Sequence, residues 1–333
     1  MIENISKHWK DSLNKRRDST FKLDQKNYSE DAQFPRELIL DINNRCNHKC
    51  YFCANPKIEK YDALNFELAL KLMKEAKSLG ATDLGLQATG EPFMDKRLAD
   101  FIVEGKKMGY EYIYINTNGA LASPKKSKPV IDAGCDSIKF SINAHNKEDF
   151  KTVHGYDDFE KVISNLKWIF NYRNETKAKM GVYVSSVRSS KTKMDESNIE
   201  TTITEHCDNF DIRDVSNQGG SMMELNDTEE IYEGNILGSL KKEEYTSRCV
   251  YPFNRIVINP YGFVVACTAD FHNMLEIADA NKNKLIDIWN SNEFKYLRRK
   301  HLKHDYVGLF CDKCLNNKNC KPEKLVKAFQ QNL

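Results

Sequence analysis

The stretch Cys46-Asn-His-Lys-Cys50-Tyr-Phe-Cys53 lies just after the apolar run Leu38-Ile-Leu-Asp-Ile42. Its three cysteines are separated by three and then two residues, so their side chains fall within one short loop. Thiolates are preferred ligands of zinc and of iron-sulfur clusters. The stretch therefore predicts a metal site at the end of a strand.

Three sulfur ligands narrow the choice of metal. Structural zinc takes four protein ligands in a closed tetrahedron, whereas a [4Fe-4S] cluster takes one thiolate per iron and keeps one iron open when three are present. Two other interpretations stay open: a zinc site completed by His48, and one face of a helix carrying three buried cysteines. The polar neighbours of the cysteines and Pro56 argue against the helix.

The spacing C-x3-C-x2-C, with Phe52 before the last cysteine, resembles the signature of the radical S-adenosylmethionine (SAM) enzymes. The resemblance implies a [4Fe-4S] cluster on Cys46, Cys50 and Cys53, with Phe52 among the cofactor-binding residues. It also implies that the open iron chelates the amino and carboxylate groups of SAM. One electron then releases a 5'-deoxyadenosyl radical, which takes a hydrogen atom from the substrate.

From residue 37 onward, predicted strands alternate with predicted helices, a pattern typical of parallel sheets with crossover helices. The predicted strands are 37–42, 83–88, 112–116, 137–142, 179–187 and 210–215. The predicted helices are 66–79, 97–108, 127–133, 159–170 and 197–206. Six units are too few for an eight-stranded barrel but agree with the partial (β/α)6 barrel of the radical SAM family, where active-site groups lie at the carboxyl ends of the strands.

We expect an α/β fold in which this barrel is followed by a small cysteine-rich α+β domain. The predicted divisions are an extension over 1–36 with a short helix near 5–13, the barrel over 37–217, a polar connector over 218–248 and the cysteine-rich domain over 249–333.

The second predicted strand leads into Thr89-Gly90-Glu91-Pro92, which resembles the Gly-Gly-Glu-Pro motif of the family. By that resemblance Glu91 accepts a charge-assisted hydrogen bond from the SAM ammonium, and Gly90 lets backbone approach the ligand. Thr89 departs from the motif, because the family has glycine there. All four residues are expected in the cofactor site.

Later strand ends supply further candidates. Asn118, Ser141 and Asn143 resemble family positions that touch the SAM ribose and carboxylate, although Asn118-Gly119 also has the sequence of a tight turn. Arg188 is the candidate catalytic residue, for a carboxylate or for the substrate, and the alternative is a solvated loop arginine. His145 and His154 are expected in a polar loop and receive no role.

The carboxyl-terminal third holds a second group of cysteines at positions 249, 267, 311, 314 and 320. A predicted hairpin, 255–259 and 263–266, brings Cys249 and Cys267 together, and a helix pair follows from residue 285. The arrangement resembles the SPASM domain and its reduced form, the twitch domain, which hold auxiliary iron-sulfur clusters. Cys135 and Cys207 stand apart and are expected to be small buried hydrophobes.

A full SPASM domain has seven cysteines for two clusters, whereas Lys324 stands here where a further cysteine is expected. The resemblance therefore implies one auxiliary [4Fe-4S] cluster on Cys249, Cys267, Cys311 and Cys314, with Cys320 an alternate ligand or a spare. A zinc knuckle on the same four sulfurs is the alternative.

Composition excludes several classes of function. Of the 333 residues, 40% are hydrophobic and 29% charged, as in a soluble globular protein, and the net charge of +2 gives no footprint for nucleic acid. No apolar run approaches the roughly 20 residues that a membrane helix needs. We expect a cytoplasmic protein.

These features predict a radical SAM oxidoreductase that oxidises, or otherwise epimerises, a carbon of a sugar or cyclitol, with the auxiliary cluster as electron acceptor and a flavodoxin- or ferredoxin-type electron donor. The four-cysteine spacing resembles that of the radical SAM dehydrogenase of aminocyclitol biosynthesis. The second hypothesis is modification of a peptide or protein by thioether formation, epimerisation or formylglycine formation. A third is a non-catalytic zinc protein.

Overall fold

One sheet organises the molecule. The computed structural model describes residues 2–23, 25–192, 201–234 and 248–331. Within these residues nine strands form a single sheet in the order β6-β5-β4-β3-β2-β1-β7-β8-β9. The strands are β1 (Glu37–Leu40), β2 (Asp83–Gly85), β3 (Tyr112–Thr117), β4 (Ser137–Ser141), β5 (Gly181–Arg188), β6 (Asn209–Asp214), β7 (Arg255–Ile258), β8 (Phe263–Val265) and β9 (Glu276–Asp279).

Helices connect most of these strands. Those before β7 are α1 (Ile2–Phe21), α2 (Phe66–Ser78), α3 (Leu98–Lys107), α4 (Pro124–Asp132), α5 (Lys147–His154), α6 (Phe159–Thr176) and α7 (Thr201–Thr204). The later ones are α8 (Tyr251–Asn254), α9 (Leu285–Trp289), α10 (Asn292–Leu302), α11 (Cys311–Leu315) and α12 (Leu325–Gln330). None of the described helices is long and apolar enough to cross a membrane.

The first six strands are parallel, as the alternating sequence pattern predicts. Strand β1 also pairs in parallel with β7, and β8 and β9 continue from β7 as antiparallel neighbours. The sheet thus crosses the predicted domain boundary at residue 249 without a break. The fold class predicted from sequence, a parallel α/β barrel followed by a cysteine-rich domain, is confirmed.

The two faces of the barrel strands differ in polarity. In β3, Ile113 and Ile115 are buried in the hydrophobic core under the helices, whereas Tyr112, Tyr114 and Asn116 line the interior cavity. This alternation follows from the two-residue period of a strand. The barrel therefore has an apolar outer layer and a polar interior.

Helix α2 forms where its sequence pattern predicts. The side chain of Asn65 accepts a hydrogen bond from Leu68 N, and the buried face consists of Ala69, Leu72, Met73 and Ala76. Gly80 follows the helix with φ +103°, a conformation that glycine adopts at little cost.

Several local expectations were wrong. The extension forms the 20-residue helix α1 instead of a short one near 5–13. The loop expected around His154 is instead helix α5, and β9, α11 and α12 were not predicted. Of the predicted helix 197–206, residues 201–204 are helical and 197–200 lie outside the described residues.

Helix α1 closes the amino-terminal end of the barrel. Arg16 on α1 inserts between the first residues of two strands, 2.6 Å from Glu37 and 3.4 Å from Asp83. Its guanidinium lies 4.0 Å from the centre of the Tyr114 ring. The extension is thus part of the barrel wall.

A buried ion pair joins α6 to the strand layer. Arg173 donates to both carboxylate oxygens of Asp208, at 2.8 and 3.0 Å, and to the carbonyl of Met180 at 2.7 Å. Both side chains are almost fully buried. Removing one partner of such a pair leaves an uncompensated charge.

We expect Arg173→Met to lower the free energy of unfolding by about 3–5 kcal/mol, and the double variant Arg173→Met/Asp208→Asn to recover part of that loss. Urea denaturation followed by circular dichroism measures both. As a control, Lys128→Met on the exposed Lys128–Asp132 pair should change little, because exposed pairs contribute little. Equal effects of the buried and exposed substitutions would contradict this assignment.

Candidate functional site

The three clustered cysteines lie together in the loop that follows β1, and all three line the interior cavity. The backbone N–H of His48 points to Cys46 Sγ at 3.5 Å, and that of Asn55 points to Cys53 Sγ at the same distance. Burial, reinforced by the two neighbouring sulfurs, raises the pKa of Cys50 well above its usual value. Sulfurs that line a cavity and receive N–H donors fit thiolates held by a metal centre.

The sulfur of Cys50 faces His154, a histidine to which the sequence assigned no role. His154 Nδ1 lies 3.4 Å from Cys50 Sγ and 3.3 Å from His48 Nδ1. Burial lowers the pKa of His154 well below its usual value, so its ring is neutral. Because the backbone N–H of Asn143 donates to His154 Nε2 at 3.3 Å, the ring proton belongs on Nδ1. His154 thus donates toward Cys50.

The neighbours of His48 also define the tautomer of its ring. The single Nδ1 proton of His154 is shared between Cys50 Sγ and His48 Nδ1, and His48 Nε2 donates to Asp158 at 3.2 Å. Ligand atoms of His48, Cys50 and His154 lie within 4.8 Å of one another, a spacing that a metal ion could use. The nitrogens of both rings already have protein partners, however, so the arrangement favours a hydrogen-bond relay.

The Thr89–Pro92 turn is fixed against the cysteine loop. Glu91 N donates to the carbonyl of Arg45 at 2.8 Å, and Asn43 Nδ2 donates to the carbonyl of Glu91 at 3.2 Å. A Cβ atom on Gly90 would stand 2.3 Å from the Asn43 carbonyl oxygen. The glycine is therefore required by the close approach of two backbone segments.

Glu91 is buried and turned toward the end of β3. Its carboxylate accepts from the hydroxyl of Thr117 at 2.7 Å, from Asn118 N at 2.8 Å and from Phe93 N at 3.0 Å. Burial raises its pKa to about 6 despite these donors. Since a carboxylate has about four acceptor positions, one remains for the predicted contact with an ammonium group.

The departure at Thr89 has a local explanation. Its hydroxyl donates to the carboxylate of Asp41, which also accepts from the backbone of Ala88 and Thr89 at 3.2 Å each. Burial raises the pKa of Asp41 to about 6. The threonine side chain is thus held at the end of β1, and Asp41 is a supporting residue that the sequence did not reveal.

The other predicted cofactor residues reach the same cavity. Asn118 donates to Asn47 at 2.9 Å and lies 3.7 Å from Cys46 Sγ. Ser141 and Asn143 also line the cavity, and Asn143 accepts from Val187 N at 2.9 Å. The cavity has a volume of about 460 Å³, within the range of small-molecule sites.

Arg188 lies elsewhere. Its exposed side chain pairs with Asp214 at 2.9 Å, and it is not among the described residues that line the cavity. The geometry therefore gives its predicted catalytic role no support.

Four of the five carboxyl-terminal cysteines surround one apolar space. Cys249, Cys267, Cys311 and Cys314 line it together. Burial raises the pKa of Cys249 to about 12, and burial followed by the three neighbouring sulfurs raises that of Cys311. Thiolates form here only with a compensating cation, which a metal centre supplies. Cys320 is not in the lining, and its described charged neighbours are Asp312, Lys313 and Lys318.

The sequence brought out the cysteines but not the residues that face them. His154 and Asp41 stand far along the chain from the groups they contact, and no spacing pattern links them to those groups. The position of His154 at the end of α5, directly before Gly155 with φ +76°, is set by the fold. A predicted helix over residues 147–154 would have placed His154 at this position.

Two family models match the chain. The radical SAM superfamily matches residues 40–184, and the SPASM domain, an iron-sulfur cluster-binding domain, matches residues 249–315. The chain therefore contains a radical SAM domain, followed by a SPASM domain. These domains imply a [4Fe-4S] cluster with SAM and auxiliary iron-sulfur binding.

Among curated proteins, a probable GTP 3',8-cyclase from Saccharolobus solfataricus is 30% identical over 135 residues, 39% of this chain and 42% of the relative. The match thus spans less than half the length of that relative.

Two solved structures share the fold over most of this chain. BtrN in complex with AdoMet and 2-DOIA is 17% identical with a TM-score of 0.57, covering 87% of this chain and 96% of BtrN. Streptococcus suis SuiB bound to precursor peptide SuiA is 16% identical with a TM-score of 0.64, covering 86% and 71%. At this identity the similarity concerns the fold.

The grouping of cysteines predicts iron content. We expect about eight irons in the anaerobically reconstituted protein and about four in the Cys46/Cys50/Cys53 triple alanine variant, one cubane per group. Cys267→Ser should also leave about four, whereas Cys320→Ser should keep about eight. Elemental analysis for iron and zinc measures the metal content of each protein. Loss of iron in Cys320→Ser, or zinc in the wild type, would contradict the arrangement.

The hydrogen bond from His154 predicts a redox effect. A donor to a cluster sulfur stabilises the more negative reduced state, so His154→Phe should lower the reduction potential. A bond worth about 1 kcal/mol corresponds to about 40 mV for one electron. A redox titration monitored by electron paramagnetic resonance, on the signal that SAM perturbs, measures the shift.

The matched control for this titration is His145→Phe. His145 pairs with Asp149 at 3.4 Å, and no contact with a cysteine is described for it. An unchanged potential in a folded His154→Phe protein would show that the ring does not act on the sulfur.

Proposed function

We propose that this protein cleaves SAM to a 5'-deoxyadenosyl radical and oxidises a carbon of a small sugar- or cyclitol-type molecule, with one auxiliary cluster as electron acceptor. Epimerisation at such a carbon is the redox-neutral form of the same proposal. The enzyme class proposed is therefore a radical SAM oxidoreductase.

The main support for this proposal is the group of four cysteines at positions 249, 267, 311 and 314. A substrate that has lost a hydrogen atom completes a two-electron oxidation by losing a proton and one more electron. Four sulfurs around one space, with Cys320 outside the group, support one complete four-thiolate cluster that would accept this electron.

The bound cluster and SAM would supply the radical, and the protein residues would position the cofactor. Cys46, Cys50 and Cys53 would hold the cluster, while Glu91 would orient the SAM ammonium. Phe52, Asn118, Ser141 and Asn143 are proposed to bound the cofactor side of the cavity that they line. Gly90 would keep the backbone close enough for these groups to act together.

Modification of a peptide is the second candidate. Its support is the similarity in fold to SuiB, a structure solved with a precursor peptide. The match to the GTP 3',8-cyclase supports shared radical SAM chemistry in the matched segment, but that segment is 42% of the relative. A low-potential donor of the flavodoxin or ferredoxin type and a reducing, cytoplasmic environment are part of the proposal.

The test is production of 5'-deoxyadenosine from SAM by the anaerobically reconstituted, dithionite-reduced protein. We expect production by the wild type and none by the Cys46/Cys50/Cys53 variant. A panel of sugars, cyclitols and short peptides then identifies the substrate class by a product lighter by two hydrogen atoms.

Cys267→Ser separates oxidation from epimerisation. If the auxiliary cluster accepts the electron, this variant should still form 5'-deoxyadenosine but little oxidised product. Unchanged product formation would reject the acceptor role, and a product of unchanged mass would favour epimerisation. Modification of the peptides but not of the sugars or cyclitols would favour the second candidate, peptide modification.

A further inference from the structure

The interior cavity extends well beyond the cysteine loop. Its lining runs from Cys46 and the strand ends down to Leu13 and Arg17 on α1. Inward-facing side chains of β3 to β6 form the middle of this space. Lys139, Asp211 and Arg213 carry its charges there, and none of the three belongs to a motif of the sequence.

The base of the cavity is occupied by ion pairs. Arg16 pairs with Glu37 and Asp83, Arg255 pairs with Glu37 at 2.7 Å, and Arg36 pairs with Asp83 at 3.0 Å. Each of these arginines therefore already has a carboxylate partner.

The middle of the cavity is unbalanced. Arg213 Nε contacts Asp211 at 2.9 Å, but no described partner is bonded to its terminal amino groups. Among the described residues, Lys139 has no carboxylate within 4 Å and no hydrogen bond from Nζ. Two cations therefore share one carboxylate in an enclosed space.

The electrostatics of Lys139 agree with an anionic ligand. Burial, followed by the charge of Arg213, lowers the pKa of Lys139 to about 7, so the surrounding protein groups alone disfavour its ammonium form. An oxyanion beside the amine would favour that form.

We propose that Lys139 and the terminal amino groups of Arg213 bind an oxyanion, a carboxylate or phosphate, carried by the substrate. The guanidinium offers the paired donors that such groups accept. Lys139 is two residues before Ser141 on the same strand face, about 6.6 Å along the strand, so the anion lies one pleat deeper than the proposed cofactor contact. That the ligand is the substrate rests on the proposed function.

The site has a predictable pH dependence. The charged groups that face Lys139 are Asp211 and Arg213 from β6 and Arg16 from α1, while Tyr183 on β5 is neutral because burial raises its pKa. A bound anion raises the pKa of Lys139 above about 7. Anion affinity is therefore fully present below pH 7 and falls as the pH rises through the bound-state value.

Competitive acetylation of the reconstituted protein tests the site without turnover. The rate at Lys139 is compared by mass spectrometry with that at exposed Lys125, in sodium phosphate, sodium acetate or sodium chloride of equal ionic strength. We expect phosphate or acetate to slow acetylation of Lys139 about threefold, as for a rise of half a pKa unit, with no change at Lys125. The anion that slows acetylation of Lys139 more shows whether the site prefers a phosphate or a carboxylate group.

Two outcomes would overturn the proposal. One is that phosphate and acetate protect Lys139 no better than chloride. The other is that SAM alone removes the protection, which would assign the anion to the cofactor. Because no reaction is needed, either result is independent of whether the oxidation itself occurs.

Variants give a second measurement. Phosphate or acetate should raise the thermal unfolding midpoint of the wild type and of Lys139→Arg, which retains the charge, but not that of Lys139→Met. Lys125→Met is the matched control and should respond as the wild type does. An undiminished shift in Lys139→Met would reject the assignment.

Discussion

Strand β1 is hydrogen-bonded along both edges, to β2 of the barrel and to β7 of the SPASM domain. Because parallel strands end at the same edge of a sheet, the cysteine loop after β1 emerges between the two domains. The Thr89–Pro92 turn meets this loop from one side, and Thr268 and Phe271, just after Cys267, line the same cavity from the other. The cysteine loop and the segment after Cys267 are therefore brought to one cavity by the pairing of β1 with β7.

The charges of the interior follow the same arrangement. Near the cysteines, N–H groups face the sulfurs, which suits thiolates on a metal centre. At the base, Arg16 and Arg255 pair with carboxylates, and between these ends Lys139 and Arg213 face the cavity with Asp211 as their described acidic neighbour. The cysteines, the cations Lys139 and Arg213, and the ion pairs of the base thus follow one another along the barrel axis.

The features that the sequence predicted are local. Cysteine spacing, the Thr89–Pro92 turn and the strand–helix alternation each depend on residues close in the chain, and the barrel and the cysteine-rich domain followed from them. The relay from His154 to Cys50, the pairing of Arg188 with Asp214 and the unbalanced charge of Lys139 depend on side chains from distant segments. No spacing rule encodes such contacts, because packing decides them.

Helix α1 contributes to the shape of the cavity at its deep end. It supplies Leu13, Arg16 and Arg17 to the wall farthest from the cysteines, and the described contacts of the sulfurs include no residue of this helix. Exchange of this helix alone would reshape the deep end of the cavity while the radical-forming end stayed intact. Evolution, or an engineer, could thereby alter which molecules fit without rebuilding the chemistry.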